Sequence, residues 1–122
     1  MSRYGIDVTF VDTTDPDATW AAARPNTRLL WLETLSNPTL KLCDIAALAG
    51  RKPPGVLVAV DNTFASPFLR PLCFGADLVV HSTTKYIRGH SDVIGGAVMT
   101  NGREIAERIA YHQNCVGAVP GP

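Results

Sequence analysis

The sequence has no excess of charge of either sign, because its 122 residues carry 11 Lys and Arg against 11 Asp and Glu. A neutral chain with only 18% charged residues does not offset phosphates, which excludes a protein that binds nucleic acid through a broad basic surface. A basic helix that lies on a membrane surface is excluded for the same reason.

Long hydrophobic runs are also absent. The longest aliphatic stretch, Val56–Val60, is far shorter than the ~20 residues that a bilayer-spanning helix needs. The first residues lack the apolar stretch and the small-residue cleavage site of a secretory signal. The sequence therefore predicts a cytoplasmic protein without a membrane span.

Cysteine is scarce, odd in number and widely spaced, and no Cys-x-x-Cys pair occurs. The three residues are Cys43, Cys73 and Cys115. This pattern favours neither a disulfide framework nor a tetrahedral metal site. We expect all three thiols to be buried and to act as small hydrophobic side chains.

What is present is an alternation of apolar runs and helix-like stretches, with an ordinary apolar content of 46%. Five runs predict strands: Val8–Val11, Arg28–Leu32, Val56–Val60, Leu78–His81 and Gly96–Met99. The middle three lack polar alternation, which is typical of strands covered by helices on both faces. We therefore predict an α/β fold with a mostly parallel sheet flanked by helices.

Three segments carry helix signals. Asp15, which a proline follows, is the expected N-cap of the first helix. The second helix, over Asp44–Ala49, is expected to end at Gly50 in the left-handed conformation. The third, over residues 102–110, is amphipathic. Because strands and helices alternate, the sequence predicts right-handed crossovers between neighbouring parallel strands.

Polar residues gather after each of the three apolar strands. The clusters are Glu33–Pro38, Asp61–Thr63 and Ser82–Lys85. In an open parallel sheet the carboxyl ends of the strands lie along one edge, and ligands bind outside that edge. We therefore expect the clusters to converge on one site, although the same residue types also form turns and caps.

Lys85 has the most informative chemistry in these clusters. A lysine flanked by hydroxyls can form an imine with an aldehyde while the hydroxyls bind a phosphate. Pyridoxal phosphate carries both groups, and its ring nitrogen needs a carboxylate partner, for which Asp61 is available. The separation of the two residues, 85 − 61 = 24, corresponds to about one helix-plus-strand step.

Other interpretations of Lys85 are weaker. The run Ser82-Thr83-Thr84-Lys85 fits the Ser-x-x-Lys motif of serine β-lactamases, but the Ser-Asp-Asn and Lys-Thr-Gly motifs of those enzymes are missing from the sequence. A P-loop is excluded, since Gly-x-x-x-x-Gly-Lys-Ser/Thr does not occur. A surface lysine without a role stays open.

Four blocks in register resemble the Cys/Met-metabolism pyridoxal-phosphate enzymes, which include cystathionine gamma-synthase, cystathionine gamma-lyase, methionine gamma-lyase and the O-acylhomoserine sulfhydrylases. The blocks are Glu33–Pro38, Val60–Pro67, Gly75–Asp77 and His81–Val93. The resemblance extends over nearly the whole chain. It implies the large domain of a fold-type I pyridoxal-phosphate-dependent transferase.

The resemblance implies that six residues bind pyridoxal phosphate: Lys85, Asp61, Ser82, Thr84, Thr63 and Asn37. The lysine is the catalytic residue and forms the imine, and the aspartate pairs with the pyridine nitrogen. Ser82 and Thr84 contact the phosphate, Thr63 supports the ring, and Asn37 lies near the cofactor hydroxyl and the substrate carboxylate. No metal is implied.

Two further residues lie within the matching blocks. For Glu33, a place next to the cofactor and a role as a hydrogen-bonding anchor at the strand end stay equally open. His90 is expected to be structural, because nothing in the sequence around it marks it as an acid or a base.

The implied function is γ-elimination or γ-replacement on cystathionine or O-acylhomoserine types of substrate, with the choice between the two reactions open. The implied assembly is a homotetramer with the active site at a dimer interface. Family members are several times longer, and both ends of this sequence look cut. We therefore expect residues 1–122 to be a partial cofactor-binding domain with little activity. The alternative is an inactive fragment that serves only as a cofactor-binding or subunit-interaction module.

Overall fold

Four strands form one sheet in the computed structural model, which describes residues 1–121. The strands are β1 (Leu29–Glu33), β2 (Leu57–Asp61), β3 (Leu78–Ser82) and β4 (Gly96–Met99), and they lie in that order across the sheet. The first three are parallel and β4 is antiparallel to β3. The mostly parallel sheet and the α/β class that the sequence predicts are confirmed.

Three α-helices and two short 3-10 helices complete the regular structure. The α-helices are α1 (Pro16–Ala21), α2 (Ile45–Gly50) and α3 (Arg103–Val116), and the 3-10 helices span Ser2–Tyr4 and Pro71–Phe74. Asp15 caps α1, because its carboxylate accepts from the backbone N–H groups of Asp17 and Ala18 at 2.9 and 3.1 Å. The predicted N-cap is confirmed.

The predicted strand at Val8–Val11 is wrong. This segment has no regular structure, and Val8 and Phe10 are exposed. Apolar residues alone do not make a strand, because a strand also needs a neighbour for its backbone groups. The described part of the chain gives this segment none, since β1 pairs only with β2.

The expected left-handed end of α2 at Gly50 is also wrong. Gly50 is the last residue of the helix, and Arg51 follows as the C-cap, with its backbone N–H donating to Ala49. The left-handed glycine comes later, at Gly55, where φ is 79°. The third helix is longer than predicted and ends at Gly117, whose φ of 69° supplies the left-handed cap.

The core lies on one face of the sheet. Leu30, Leu32, Val58 and Val60 point from β1 and β2 toward α2, where they pack against Leu48. Each fully buried aliphatic side chain stabilises the fold by about 1.5–3 kcal/mol. The indole of Trp20 joins α1 to the same face and donates to the backbone oxygen of Leu48 at 3.1 Å.

The opposite face of the sheet is not covered by the described helices, which corrects the expectation of helices on both faces. Leu29 and Trp31 of β1 and Val98 of β4 are each about half exposed there. The reason is that α1 and α2, the helices that contribute to the core, both pack on the other face. Between residues 1 and 121 no helix is long and apolar enough to cross a membrane.

The cysteines differ from the expected buried thiols. Cys43 is partly buried and packs against the core, but Cys73 and Cys115 are exposed. Cys73 lies in the second 3-10 helix, and Cys115 lies near the end of α3, which has no buried residue. All three thiols are free.

Candidate active site

The three polar clusters follow the carboxyl ends of three neighbouring parallel strands. Glu33 at the end of β1 is in register with Asp61 at the end of β2, and Asp61 is in register with Val80 of β3. Parallel strands place their carboxyl ends at one edge, so the clusters begin at the same edge of the sheet. The first residues of the three clusters therefore lie at one edge of the sheet, as the sequence predicts.

A chain of hydrogen bonds joins the ends of β2 and β3. The hydroxyl of Thr63 donates to Oδ1 of Asp61 at 2.6 Å and accepts from the backbone N–H of Ser82 at 2.8 Å. The backbone N–H of Thr63 also donates to Oδ1 of Asp61, at 3.0 Å. These bonds fix one oxygen of the carboxylate and leave Oδ2 without a partner among residues 1–121.

Lys85 lies in the turn that follows β3. Its backbone N–H donates to the oxygen of Ser82 at 3.2 Å, and its own oxygen accepts from Gly89 at 2.8 Å. The side chain is exposed and lines an open pocket of ≈ 290 Å³ together with Phe64 and Tyr86. The centroids of these two rings are 6.0 Å apart, and the rings pack edge to face. The turn thus presents the amine to a space with aromatic walls.

The chain contains three lysines, and the other two are in ion pairs. Lys41 Nζ lies 2.6 Å from Asp12, and Lys52 Nζ lies 2.6 Å from Asp77. Lys85 makes no ion pair with any described residue. An amine that a carboxylate holds in an ion pair must leave that pair before it can attack an aldehyde. Lys85 is therefore the lysine best placed to react with an aldehyde.

Thr84 is bonded to the segment that precedes β4. Its hydroxyl accepts from the backbone N–H of Gly95 at 2.9 Å and donates to the oxygen of the same residue at 3.3 Å. A Cβ at Gly95 would lie 2.6 Å from Oγ1 of Thr83, so any other residue here would require the Thr83 side chain to move. The hydroxyl of Ser82, by contrast, has no partner in the described part of the chain.

Asn37 lies farther out, in the loop after β1, and its side chain is exposed. Its backbone N–H donates to Oε2 of Glu33 at 3.1 Å. This bond gives Glu33 the anchoring role at the strand end that was one of its two interpretations. The structure therefore brings Asp61, Thr63 and Ser82 into direct contact, whereas Asn37 is bonded to Glu33 and makes no hydrogen bond to those three among the described residues.

The base of this loop is attached to the segment before α1. The Lys41 ammonium donates to Oδ2 of Asp12 at 2.6 Å. Mainly because of this bond, and with help from Thr14, the pKa of Asp12 falls from 3.8 to about 2. His90 makes a local contact, since its Nδ1 lies 2.6 Å from the backbone oxygen of Arg88, which suits the structural role that the sequence predicts.

Asn62 lies within the cluster Asp61–Thr63, but the sequence analysis gave it no role. It is fully buried, and its Nδ2 donates to the backbone oxygens of Ser66 at 3.0 Å and Leu69 at 2.8 Å. Its Oδ1 has no partner among the described residues, which costs about 1–3 kcal/mol for a buried acceptor. The only sequence signal was an amide that directly follows a buried strand.

Three side chains after the strand ends have polar atoms that no described residue binds. Lys85 offers an amine, Ser82 a hydroxyl, and Asp61 one free carboxylate oxygen. An aldehyde, a phosphate and a basic ring nitrogen are their chemical complements, and pyridoxal phosphate carries all three. The fold and the site thus define an α/β protein of the pyridoxal-phosphate-dependent class.

Comparisons with known proteins place the chain within that class. The model of the Cys/Met metabolism PLP-dependent enzyme family matches residues 1–122. The chain is 55% identical to the probable cystathionine gamma-synthase of Herpetosiphon aurantiacus, over 100% of this chain and 39% of that protein. It is 54% identical to the cystathionine gamma-synthase of Mycobacterium tuberculosis, over 100% of this chain and 32% of that protein.

Solved structures agree with this result. The crystal structure of cystathionine gamma-lyase from Lactobacillus plantarum complexed with L-serine matches with a TM-score of 0.92 and 45% identity, over 97% of this chain and 32% of that one. The chain therefore belongs to the Cys/Met metabolism PLP-dependent enzyme family, and the resemblance seen in the sequence is confirmed. The cofactor of this family is pyridoxal phosphate. The chain spans about a third of the length of the curated relatives it matches.

Proposed function

We propose that this chain supplies the cofactor-binding lysine and part of the cofactor site of an enzyme of sulfur amino-acid metabolism. The observation that carries the proposal is a pair of hydrogen bonds. The hydroxyl of Thr63 binds both the Asp61 carboxylate and the backbone N–H of Ser82, and Ser82 begins the turn that bears Lys85. The domain predicted over residues 1–122 is, on this proposal, part of a larger cofactor-binding domain.

Each side chain has a defined task. Asp61 receives the protonated ring nitrogen at Oδ2, since Thr63 occupies Oδ1 and sets the direction of the carboxylate. Ser82 donates its hydroxyl to the phosphate. Asn37 binds near the cofactor hydroxyl and the substrate carboxylate.

Thr84 is proposed as a second hydroxyl for the phosphate. A phosphate oxygen accepts hydrogen bonds, so Thr84 must turn its hydrogen away from the oxygen of Gly95. That bond, at 3.3 Å, is longer than the usual range and is easily exchanged, while the bond from the N–H of Gly95 at 2.9 Å can remain. Thr84 can therefore contact the phosphate and keep its attachment to the segment before β4.

Lys85 has two tasks. Its amine would hold the cofactor covalently, and as a free amine it would move protons at the substrate carbon. Pyridoxal phosphate supplies an electron sink that stabilises negative charge on the substrate. The proposed reaction is γ-elimination or γ-replacement at a C–S or C–O bond of a cystathionine-like or O-acylhomoserine-like substrate. The relatives include both synthases and lyases, so the choice between the two reactions stays open.

Labelling of the lysines tests the proposal. The protein is mixed with pyridoxal phosphate and reduced with borohydride, and the modified lysine is located by mass spectrometry. We expect the modification at Lys85 and its loss in the Lys85→Met variant, while the matched control Lys52→Met leaves it unchanged. Equal modification of Lys41, Lys52 and Lys85 would contradict the proposal.

A second candidate function follows from the uncovered face of the sheet. Because Leu29, Trp31 and Val98 are exposed there, the chain can serve as a non-catalytic module that binds a longer homologue. We propose that residues 1–122 by themselves have little activity in either case. The binding module would be excluded if light scattering shows a monodisperse monomer and the chain does not bind a longer homologue. Turnover of cystathionine by the purified 122-residue chain would contradict the proposed lack of activity. The homotetramer and the cytoplasmic location remain predictions.

A further inference from the structure

Two polar side chains lie buried behind the candidate site. Asn62 has no exposed surface and His81 is 4% exposed. Asn62 stands between Asp61 and Thr63 in the sequence, and His81 directly precedes Ser82. Successive side chains of a strand point to opposite faces, so His81 and Asn62 lie on the core face, while Asp61 and Ser82 lie on the other.

These two side chains are in contact. Nδ2 of Asn62 lies 3.3 Å from Nε2 of His81. The same nitrogen donates to the backbone oxygens of Ser66 and Leu69, and only a nitrogen can donate to two carbonyl groups, which fixes the orientation of the amide. Because the two hydrogens of this nitrogen point to those carbonyl groups, Nε2 of His81 can accept only a share of one of them, which agrees with the longer distance of 3.3 Å.

This contact joins the ends of β2 and β3 on the core face of the sheet. The hydroxyl of Thr63 joins the same two strand ends on the opposite face, which carries Asp61 and Ser82 and is called the site face below. On the site face, Thr63 binds both Asp61 and the backbone N–H of Ser82. On the core face, Asn62 and His81 link the residues adjacent to these. The ends of β2 and β3 are thus joined on both sides of the sheet.

Asn62 also shapes the segment that carries Phe64. This segment passes through Ser66, whose φ of 59° is a left-handed conformation that residues other than glycine rarely adopt. The amide of Asn62 binds the oxygen of that same residue. Phe64, in turn, lines the Lys85 pocket and contacts the ring of Tyr86.

We propose that Asn62 and His81 are positioning residues for the site: they set the spacing between Asp61 and Ser82 from the core side without touching cofactor or substrate. This inference rests on the proposed function of Asp61, Ser82 and Lys85. Asn62 donates to the backbone oxygens of Ser66 and Leu69, while its own buried oxygen has no partner among the described residues. Its bonds therefore hold the backbone of the neighbouring segment in place, which is what a positioning role requires.

Variants of His81 test the inference when they are made in the larger, cofactor-loaded enzyme whose cofactor site this chain is proposed to supply. His81→Leu keeps an apolar volume but removes the acceptor, whereas His81→Gln places an amide oxygen near the position of Nε2. We expect the leucine variant to lower kcat about ten-fold, with KM changed less than about two-fold, because small displacements of reacting groups are costly. The absorption band of the bound cofactor should also shift in the leucine variant. The glutamine variant should recover most of the activity and the wild-type band, and His112→Leu, at an exposed position, is the matched control.

A purely structural role would give a different result. If His81→Leu lowers only the unfolding temperature and leaves kcat and the cofactor band unchanged, the inference is wrong. If the leucine variant does not fold, His81→Asn, whose amide is too short to reach Asn62, serves in its place with the same expected loss of kcat.

Hydrogen exchange separates this inference from the proposed function. The amide of Ser82 should exchange faster in the leucine variant than in the wild type, and this readout does not require activity. An enzyme whose wild type fails to bind the cofactor would contradict the proposed function, whereas unchanged exchange at Ser82 would contradict the positioning role.

Discussion

Replacing Thr63 with valine removes a single oxygen and should weaken the joint between two strands. The hydroxyl donates to the Asp61 carboxylate at 2.6 Å and accepts from the backbone N–H of Ser82 at 2.8 Å. Valine has nearly the same shape, so packing changes little at this buried position.

The magnitude follows from these two bonds. A hydrogen bond to a charged group contributes about 1.5–3 kcal/mol, and one between neutral groups about 0.5–1.5 kcal/mol. Asp61 keeps a second bond, from the backbone N–H of Thr63, so its carboxylate is not left without a donor. We therefore expect Thr63→Val to lower the free energy of unfolding by about 2–4 kcal/mol.

Urea unfolding monitored by circular dichroism measures this change, provided that the slope m is the same for each variant. Thr63→Ser retains the hydroxyl and should cost less than about 1 kcal/mol. Thr9→Val, at an exposed threonine, should stay within about 0.5 kcal/mol of the wild type. If Thr63→Val also stayed within that range, the hydrogen bonds would not be what joins β2 to β3 at the site.

Two further predictions concern the core and the Asn37 loop. Leu48→Ala should lower the free energy of unfolding by about 2–5 kcal/mol, because Leu48 is fully buried. The control is Leu42→Ala, at an exposed leucine. Equal losses of stability in the two variants would contradict the described core. The pKa of Asp12 is about 2, below its ordinary 3.8, so its ion pair with Lys41 stabilises the fold above about pH 4 and is lost as the pH falls toward 2. Unfolding temperatures measured from pH 5 to pH 2 should therefore fall less in Asp12→Asn than in the wild type, and parallel curves would exclude this contribution.

The sheet could be predicted from the sequence because its central strands are continuous apolar runs. Val56–Val60 and Leu78–His81 match β2 and β3 within one residue at each end. Val8–Val11 has a similar composition but lacks a pairing neighbour within the described chain. Strand pairing is a tertiary property, and a propensity for extended structure does not reveal it.

The site could be predicted only as a location. Strand ends of a parallel sheet must share an edge, and so the meeting of the clusters that begin at Glu33, Asp61 and Ser82 followed from topology alone. The bonds within the site did not follow. Nothing in the sequence indicated that Thr84 would bind Gly95 or that Asn62 would bind the backbone of residues 66 and 69, because such bonds depend on how loops return to the sheet.

The distribution of partners among the polar groups is a better guide to chemistry than the residue types alone. Thr63 and Glu33 are polar residues at the same edge as Asp61, but both are used to hold backbone groups in place. Lys41 and Lys52 carry the same amine as Lys85, but both are held by carboxylates. Bonds of this kind give rigidity to the edge, and a ligand needs rigid groups around it if its own contacts are to be specific.

The groups that no described residue binds are on Asp61, Ser82 and Lys85, at the same edge of the sheet. On the proposed function, a cofactor that contacts all three would meet an Asp61 carboxylate and a Ser82 backbone that Thr63 already holds, whereas the exposed Lys85 side chain would become ordered only when it binds the cofactor.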